Sequence, residues 1–421
     1  MKLGVLFSGG KDSCYALHKA TQKEEVVCLI SIISENAESY MFHTPNIGLT
    51  KLQAEAIGLP LIQKKTKGEK EKELKELKSA IKEAKELYRI EGIVTGAVES
   101  VYQATRIQKI CAELGLKCFN PLWQREQLEL VREISSVFDV MISGVFAYPL
   151  TKSWLGEKIN DELIGKLQVL QERYQVSPTG EGGEIETTVL DAPFFRNRIE
   201  ITDSEKKFDG YSGTIEVKDA KLVRKVKKVY GEIPEKKLDG NTLIIDSCDR
   251  KDSLSKDEFV LPIAKAVGYD CFVRHFSEVG EKDLKKCKRV IISGSPFGDF
   301  ESTKHLEKFK WLKTFEKPVL GICAGHQVIG LVFGSEIKNG KIIGMKNIKA
   351  AKKNELIPKD IEGYCMHSQI ITKPEGFDII AKSGNFIEAI KHKKRPIFGV
   401  QFHPEVRNHA IIQRFLRISV M

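Results

Sequence analysis

The stretch Leu3-Gly4-Val5-Leu6-Phe7-Ser8-Gly9-Gly10-Lys11-Asp12-Ser13 decides the fold of the first half of this chain. Its apolar run reads as a buried strand that stops at a Ser-Gly-Gly turn. A helix starts near Asp12 and runs to Lys19, giving the order strand, tight loop, helix. The glycines let backbone approach an anion closely. The helix N-terminus points unpaired N–H groups at the same place, Lys11 adds charge, and Ser8 and Ser13 add hydroxyls. A Walker loop is excluded, because it needs a glycine five positions before the Gly-Lys pair and position 5 is Val.

Outward from this stretch, strand and helix signals alternate. Val26 to Ile33 predicts a second buried strand. Between Glu69 and Arg89, Leu74, Leu77, Ile81, Ala84 and Tyr88 recur at helical spacing, predicting an amphipathic helix. Gly92 to Val94 is a strand turning at Thr95-Gly96, followed by a helix carrying Tyr102, Arg106 and Cys111. Val140 to Val145 is another strand, and the succession predicts a doubly wound parallel sheet covered by helices. Beyond it, Leu155 to Tyr174 reads as helix, and alternation after Pro193-Phe194-Phe195 predicts antiparallel strands to about Val229. A new α/β pattern opens at Leu243-Ile244-Ile245-Asp246. The expected organisation is an α/β chain of two doubly wound domains. The first spans 1–226, with a core to about 150 and a small α+β extension over 151–226. A linker covers 227–240, where Gly231, Pro234 and Gly240 sit among charges, and the second domain spans 241–421.

Composition sets limits on function. The 421 residues, 42% hydrophobic and 29% charged, suit two or three globular domains. The longest apolar runs fall far short of a membrane span, and Met1 to Phe7 enters a strand directly, which predicts no leader and a cytoplasmic protein. Nine scattered cysteines form no C-x-x-C pair, which argues against structural zinc and a disulfide framework. Net charge is +10, but 67 basic and 57 acidic residues are mixed, so nucleic acid is not the expected partner.

A second chemical signature lies downstream. Val319 to Ile322 is a strand that ends in Gly321-Ile322-Cys323-Ala324-Gly325-His326-Gln327, a sharp strand-to-helix turn. Such a turn exposes the Cys323 sulfur at a helix N-terminus, where the helix dipole favours an anion. A base is still needed, and His403 supplies it in Gln401-Phe402-His403-Pro404-Glu405. Pro404 stiffens the backbone so that Glu405 can orient the imidazole.

The first loop resembles that of the ATP-pyrophosphatase superfamily, whose members cleave ATP between the α- and β-phosphates. Further motifs resemble the diphthine–ammonia ligase family over roughly residues 1 to 225: Phe42-His43-Thr44-Pro45-Asn46, Thr95-Gly96-Ala97-Val98-Glu99-Ser100, Asn120-Pro121-Leu122-Trp123, Trp154-Leu155-Gly156 and Gly180-Glu181-Gly182-Gly183-Glu184-Ile185-Glu186-Thr187. Residues 241 to 421 resemble class I glutamine amidotransferases, with Ile292-Ser293-Gly294-Ser295-Pro296 as oxyanion loop and His367-Ser368 as a glutamine-contacting turn. That family usually shows glycine at position 295, and serine is suitable there unless φ is positive.

These resemblances imply ATP binding by Ser8, Gly9, Gly10, Lys11, Asp12, Ser13, Thr95 and Gly96, with Asp12 on Mg²⁺. They imply glutamine and oxyanion contacts from Gly294, Ser295, Ala324, Gln327, His367 and Ser368. Acceptor contacts are expected from Glu181, Glu184, Glu186, His43 and Glu99. The three carboxylates of 180–187 read as a mobile acidic loop that holds the trimethylammonium of diphthine, binds Mg²⁺ or assists proton removal. The implied activity is amidation of diphthine on elongation factor 2, using ATP and ammonia released from L-glutamine, without an organic prosthetic group. The alternative is a related enzyme that amidates another carboxylate or modifies a tRNA base.

Overall fold

The computed structural model describes residues 1–36, 45–69, 71–225 and 238–418. The chain divides into two compact units, Met1–Glu235 and Lys236–Met421. His43 and most of the expected linker (226–237) lie outside the described residues.

In the first unit, β1 (Lys2–Leu6), β2 (Glu25–Ser34), β3 (Leu61–Thr66), β4 (Gly92–Val94) and β5 (Lys117–Phe119) form a parallel sheet. Its order is β3-β2-β1-β4-β5, so the chain reverses direction across the sheet at β1. In such sheets ligands bind beyond the carboxyl ends of the strands at that point. The helix Glu73–Tyr88 buries Leu77, Ile81 and Ala84 against Ile30 and Ile93. Truncating Leu77 to Ala there costs about 2–5 kcal/mol.

Strand β6 (Asp139–Val145) departs from the sequence expectation of a parallel strand. It pairs antiparallel with β7 (Ile185–Asp191) and β9 (Gly213–Arg224), and β9 pairs with β8 (Asn197–Phe208), giving the order β7-β6-β9-β8. An apolar run reports burial on both faces and carries no direction. The expected helix from Leu155 is also shorter: it spans Asp161–Tyr174, because Asn160 Oδ1 accepts from Leu163 N (2.9 Å) and caps it there.

The second unit is one nine-stranded sheet. Strands β10 (Thr242–Asp246), β11 (Cys271–His275), β12 (Arg289–Ile292), β13 (Val319–Ile322) and β18 (Ile397–Val400) are parallel, in the order β11-β10-β12-β13-β18. Four antiparallel strands continue from β18: β17 (Phe386–His392), β16 (Phe377–Ser383), β14 (Glu336–Ala350) and β15 (Ile361–Thr372). Two apolar cores cover the two faces, one built around Ile244, Leu320 and Phe398, the other around Leu243, Val319 and Ile329. Among the described residues no helix is long and apolar enough to cross a membrane.

Candidate functional site

The β1 loop opens into a cavity of about 560 Å³. One end is apolar, walled by Leu6, Ile30, Ile32, Ile47, Leu77 and Ile107, while Ser8, Gly10, Lys11, Asp12 and Ser13 line the polar end. The loop is tied inward. Gly9 sits at φ +78°, a conformation that favours glycine, and its carbonyl accepts from Gln53 Nε2 (2.9 Å) and Val189 N (3.0 Å). Gln53 Nε2 also donates to Val189 O (2.9 Å), so one buried amide clamps the loop to the antiparallel sheet. Ser8 and Ser13 hydroxyls lie 3.1 Å apart, and the helix that follows is Lys11–Thr21.

Charges converge at the polar end. Lys11 Nζ donates to Asp12 Oδ2 (2.7 Å) and Thr179 O (2.5 Å), while Lys11 N donates to Thr187 Oγ1 (3.1 Å). Asp12 Oδ1 is buried and has no partner. Thr95 and Gly96 also line the cavity, and a Cβ at Gly96 would come within 2.8 Å of the Asp12–Ser13 backbone. Glu181 and Glu186 reach the same place. Burial, and then Asp12, raise the Glu181 pKa, although its Oε1 accepts from Val98 N (3.2 Å). Burial pushes Glu186 up to about 7, with Lys11 pulling it down and Asp12 pushing it up.

The acidic segment is braced rather than free. Glu184, expected at the acceptor, lies outside the cavity lining, and its carboxylate accepts from Gly182 N (2.9 Å) and Ser177 N (3.3 Å). Glu99 is also outside the lining and accepts from Gln127 Nε2 (3.0 Å). The Gln127 carbonyl in turn accepts from the hydroxyls of Ser177 (2.7 Å) and Thr179 (3.0 Å). Both glutamates thus hold the turn, while Glu181 and Glu186 face the cavity.

In the second unit Cys323 stands between β13 and the helix Ala324–Val332, at φ +49° and ψ −100°. A non-glycine residue there is strained, as at other nucleophile turns. Its N–H donates to Val400 O (2.8 Å), and its side chain is almost wholly buried. Pro404 opens a short helix that brings Glu405 Oε1 to 2.7 Å from His403 Nδ1. A carboxylate only accepts, so Nδ1–H donates and Nε2 is left free to serve the sulfur. Burial opposes charge on His403, but Glu405 and Cys323 outweigh it and hold its pKa well above the ordinary value. A Cβ at Gly294 would lie 2.8 Å from His403 Cε1 and 3.5 Å from Cys323 Cβ, which places the Gly294–Ser295 turn beside the pair. Ser295 is not among the residues with positive φ, so the serine fits where glycine is usual.

Residues 1–118 match the pattern described as diphthamide synthase N-terminal domain, 126–223 the diphthamide synthase C-terminal domain, and 258–420 glutamine amidotransferase class-I. The chain is 35% identical over 228 residues to the diphthine–ammonia ligase of Homo sapiens, covering 49% of this chain and 84% of that one. The chain belongs to the diphthine–ammonia ligase family. It is 36% identical over 223 residues to the Schizosaccharomyces pombe ligase, covering 49% of this chain but only 37% of that longer protein. The second unit is 35% identical over 145 residues to one component of the glutamine-hydrolysing GMP synthase of Methanocaldococcus jannaschii, covering 32% of this chain and 75% of that component.

The diphthine–ammonia ligase motifs also contain residues whose part the sequence reading missed. Thr187, the last residue of the acidic motif, anchors the Lys11 backbone, and Gln53 has no motif to mark it. Gln401 Nε2 donates to Cys323 Sγ (3.8 Å), so the glutamine two residues before His403 touches the nucleophile. His367 and Ser368 lie within strand β15 and not on the expected turn, because the pairing with β14 runs through this stretch. Gln327 Nε2 donates to Gln369 O (2.9 Å), and Ala324 opens the helix behind Cys323.

Proposed function

We propose that this chain is a glutamine-dependent ligase that amidates the carboxylate of diphthine on elongation factor 2. The observation that carries the reading is an assembled Cys323–His403–Glu405 triad in a chain whose other unit has a phosphate-shaped loop and cavity. Cys323 Sγ attacks the glutamine side-chain amide, and His403 Nε2 passes the thiol proton to the departing ammonia. Backbone N–H groups near Gly294–Ser295 and Ala324 receive the oxyanion, and water releases glutamate from the thioester.

In the first unit the apolar walls suit an adenine ring. Lys11, Ser8, Ser13 and the helix N-terminus suit the phosphates of ATP. The diphthine carboxylate attacks the α-phosphorus, pyrophosphate leaves, and ammonia then displaces AMP from the acyl adenylate. The unpartnered Asp12 Oδ1, with Glu181 and Glu186 beside it, suits a Mg²⁺ ion, which when bound neutralises charge on the pyrophosphate.

The test is Cys323→Ala. Glutamine-supported amidation of diphthine-bearing elongation factor 2 should fall by roughly a thousandfold or more. Amidation with ammonium salts should persist, releasing AMP and pyrophosphate. Equal loss with both nitrogen sources overturns the reading.

A further inference from the structure

We propose that Cys365, His367 and Glu388 form a binding site for a zinc-class divalent cation. One Sγ, one imidazole nitrogen and one carboxylate oxygen lie within 4.8 Å of one another. Strand β15 places Cys365 and His367 two positions apart, hence on one face. Strand β17 brings Glu388 to them, and Cys365 Sγ stands 4.0 Å from Glu388 Oε2. The three residues have relative exposures of 0%, 3% and 0%, so this is no solvated acidic patch.

Two features mark it as a set of ligands rather than ordinary core. First, His367 Nδ1–H donates to Gly340 O (2.9 Å), which fixes the tautomer and leaves Nε2 as a lone-pair donor. Metal-bound histidines are oriented in this way by a carbonyl on their other nitrogen. Second, His367 Nε2 and Glu388 Oε1 are both buried and without partner. Buried polar atoms normally find a partner, and a cation supplies one to all three groups at once. The mix of sulfur, imidazole nitrogen and carboxylate oxygen suits zinc better than Mg²⁺ or Ca²⁺, which prefer oxygen alone. Zinc–ligand distances of about 2.0–2.3 Å require the three atoms to draw slightly closer, and the Cys365 thiol gives up its proton to solvent on binding.

The competing possibility is zinc captured by Cys323 and His403, and paired variants separate the two. Full-length protein is stripped with chelator, loaded with zinc alone, dialysed and analysed for metal. We expect one zinc per chain in the wild type and in Cys323→Ser. Cys365→Ser should lose it, and Glu388→Gln should bind roughly tenfold or more weakly. Thermal unfolding confirms that each variant is folded, and Glu388→Gln carries the test if Cys365→Ser is not. Cobalt in the Cys323→Ser background should give a thiolate-to-metal charge-transfer band that vanishes on adding Cys365→Ser. Zinc that disappears with Cys323 and survives loss of Cys365, or no zinc retained after dialysis, overturns the proposal.

Discussion

His403 is where burial and charge oppose each other most directly. Its imidazole is almost fully buried, yet Glu405 at 2.7 Å and Cys323 nearby hold its folded pKa well above the ordinary value. A histidine whose pKa is raised on folding stabilises the fold fully below its unfolded pKa of about 6.5, and the contribution disappears as pH rises through the folded pKa. Glu405→Gln removes the strongest raising partner and leaves burial, so the charged form is lost. Wild type should therefore exceed Glu405→Gln in stability most at about pH 6, with the gap narrowing towards about pH 9. Denaturant unfolding at both pH values checks this, and a gap that widens with pH refutes the ion-pair account. Glutamine hydrolysis should fall in the variant, because the imidazole loses the bond that aims Nε2 at the sulfur.

The strands that deliver these side chains explain what the sequence revealed and what it withheld. Glu186 reads as part of a mobile acidic loop, yet it lies in β7, one residue before the Thr187 that anchors Lys11. Burial pushes its pKa up to about 7, against Lys11 and with Asp12. If its carboxylate faces a phosphate-bound cation, Mg·ATP binding expels a proton. Affinity should then tighten from about pH 6 to about pH 8 and level off above, while Glu186→Gln should show little dependence. Calorimetry in two buffers of different ionisation enthalpy measures the proton, and a pH-independent affinity refutes the assignment. The Ser-Gly-Gly-Lys loop and the Gly-x-Cys-x-Gly turn were legible because each is a contiguous stretch with one backbone geometry. The direction of β6 was not legible, since burial alone does not orient a strand. Glu184 and Glu181 look alike in sequence, and only the turn geometry sends one to backbone N–H groups and the other to the cavity. Cys365 and Glu388 sit in different strands with ordinary strand neighbours, so nothing in the sequence joins them.

At the scale of the whole molecule, each unit builds its own chemistry from its own elements. Every triad residue falls within Lys236–Met421, and every residue of the Ser8–Ser13 loop, with Thr187 and Gln53, falls within Met1–Glu235. Ammonia is the one species the proposed half-reactions must share, and at neutral pH it is mostly protonated, which favours a local source over the bulk. Asp12→Asn removes a carboxylate from the first unit and leaves the triad residues unchanged. It should abolish AMP formation while glutamate release from glutamine stays within about threefold of wild type, a difference below about 0.7 kcal/mol in barrier. Mixing Asp12→Asn chains with Cys323→Ala chains should then restore slow glutamine-supported amidation through ammonia in solution. The restored rate should rise with pH, as more of the released nitrogen is unprotonated. Coupled assays of glutamate and AMP on the separate variants and the mixture give the comparison. If Asp12→Asn also stops glutamate release, the two half-reactions are obligatorily linked, and the independence argued from the separate sites is wrong.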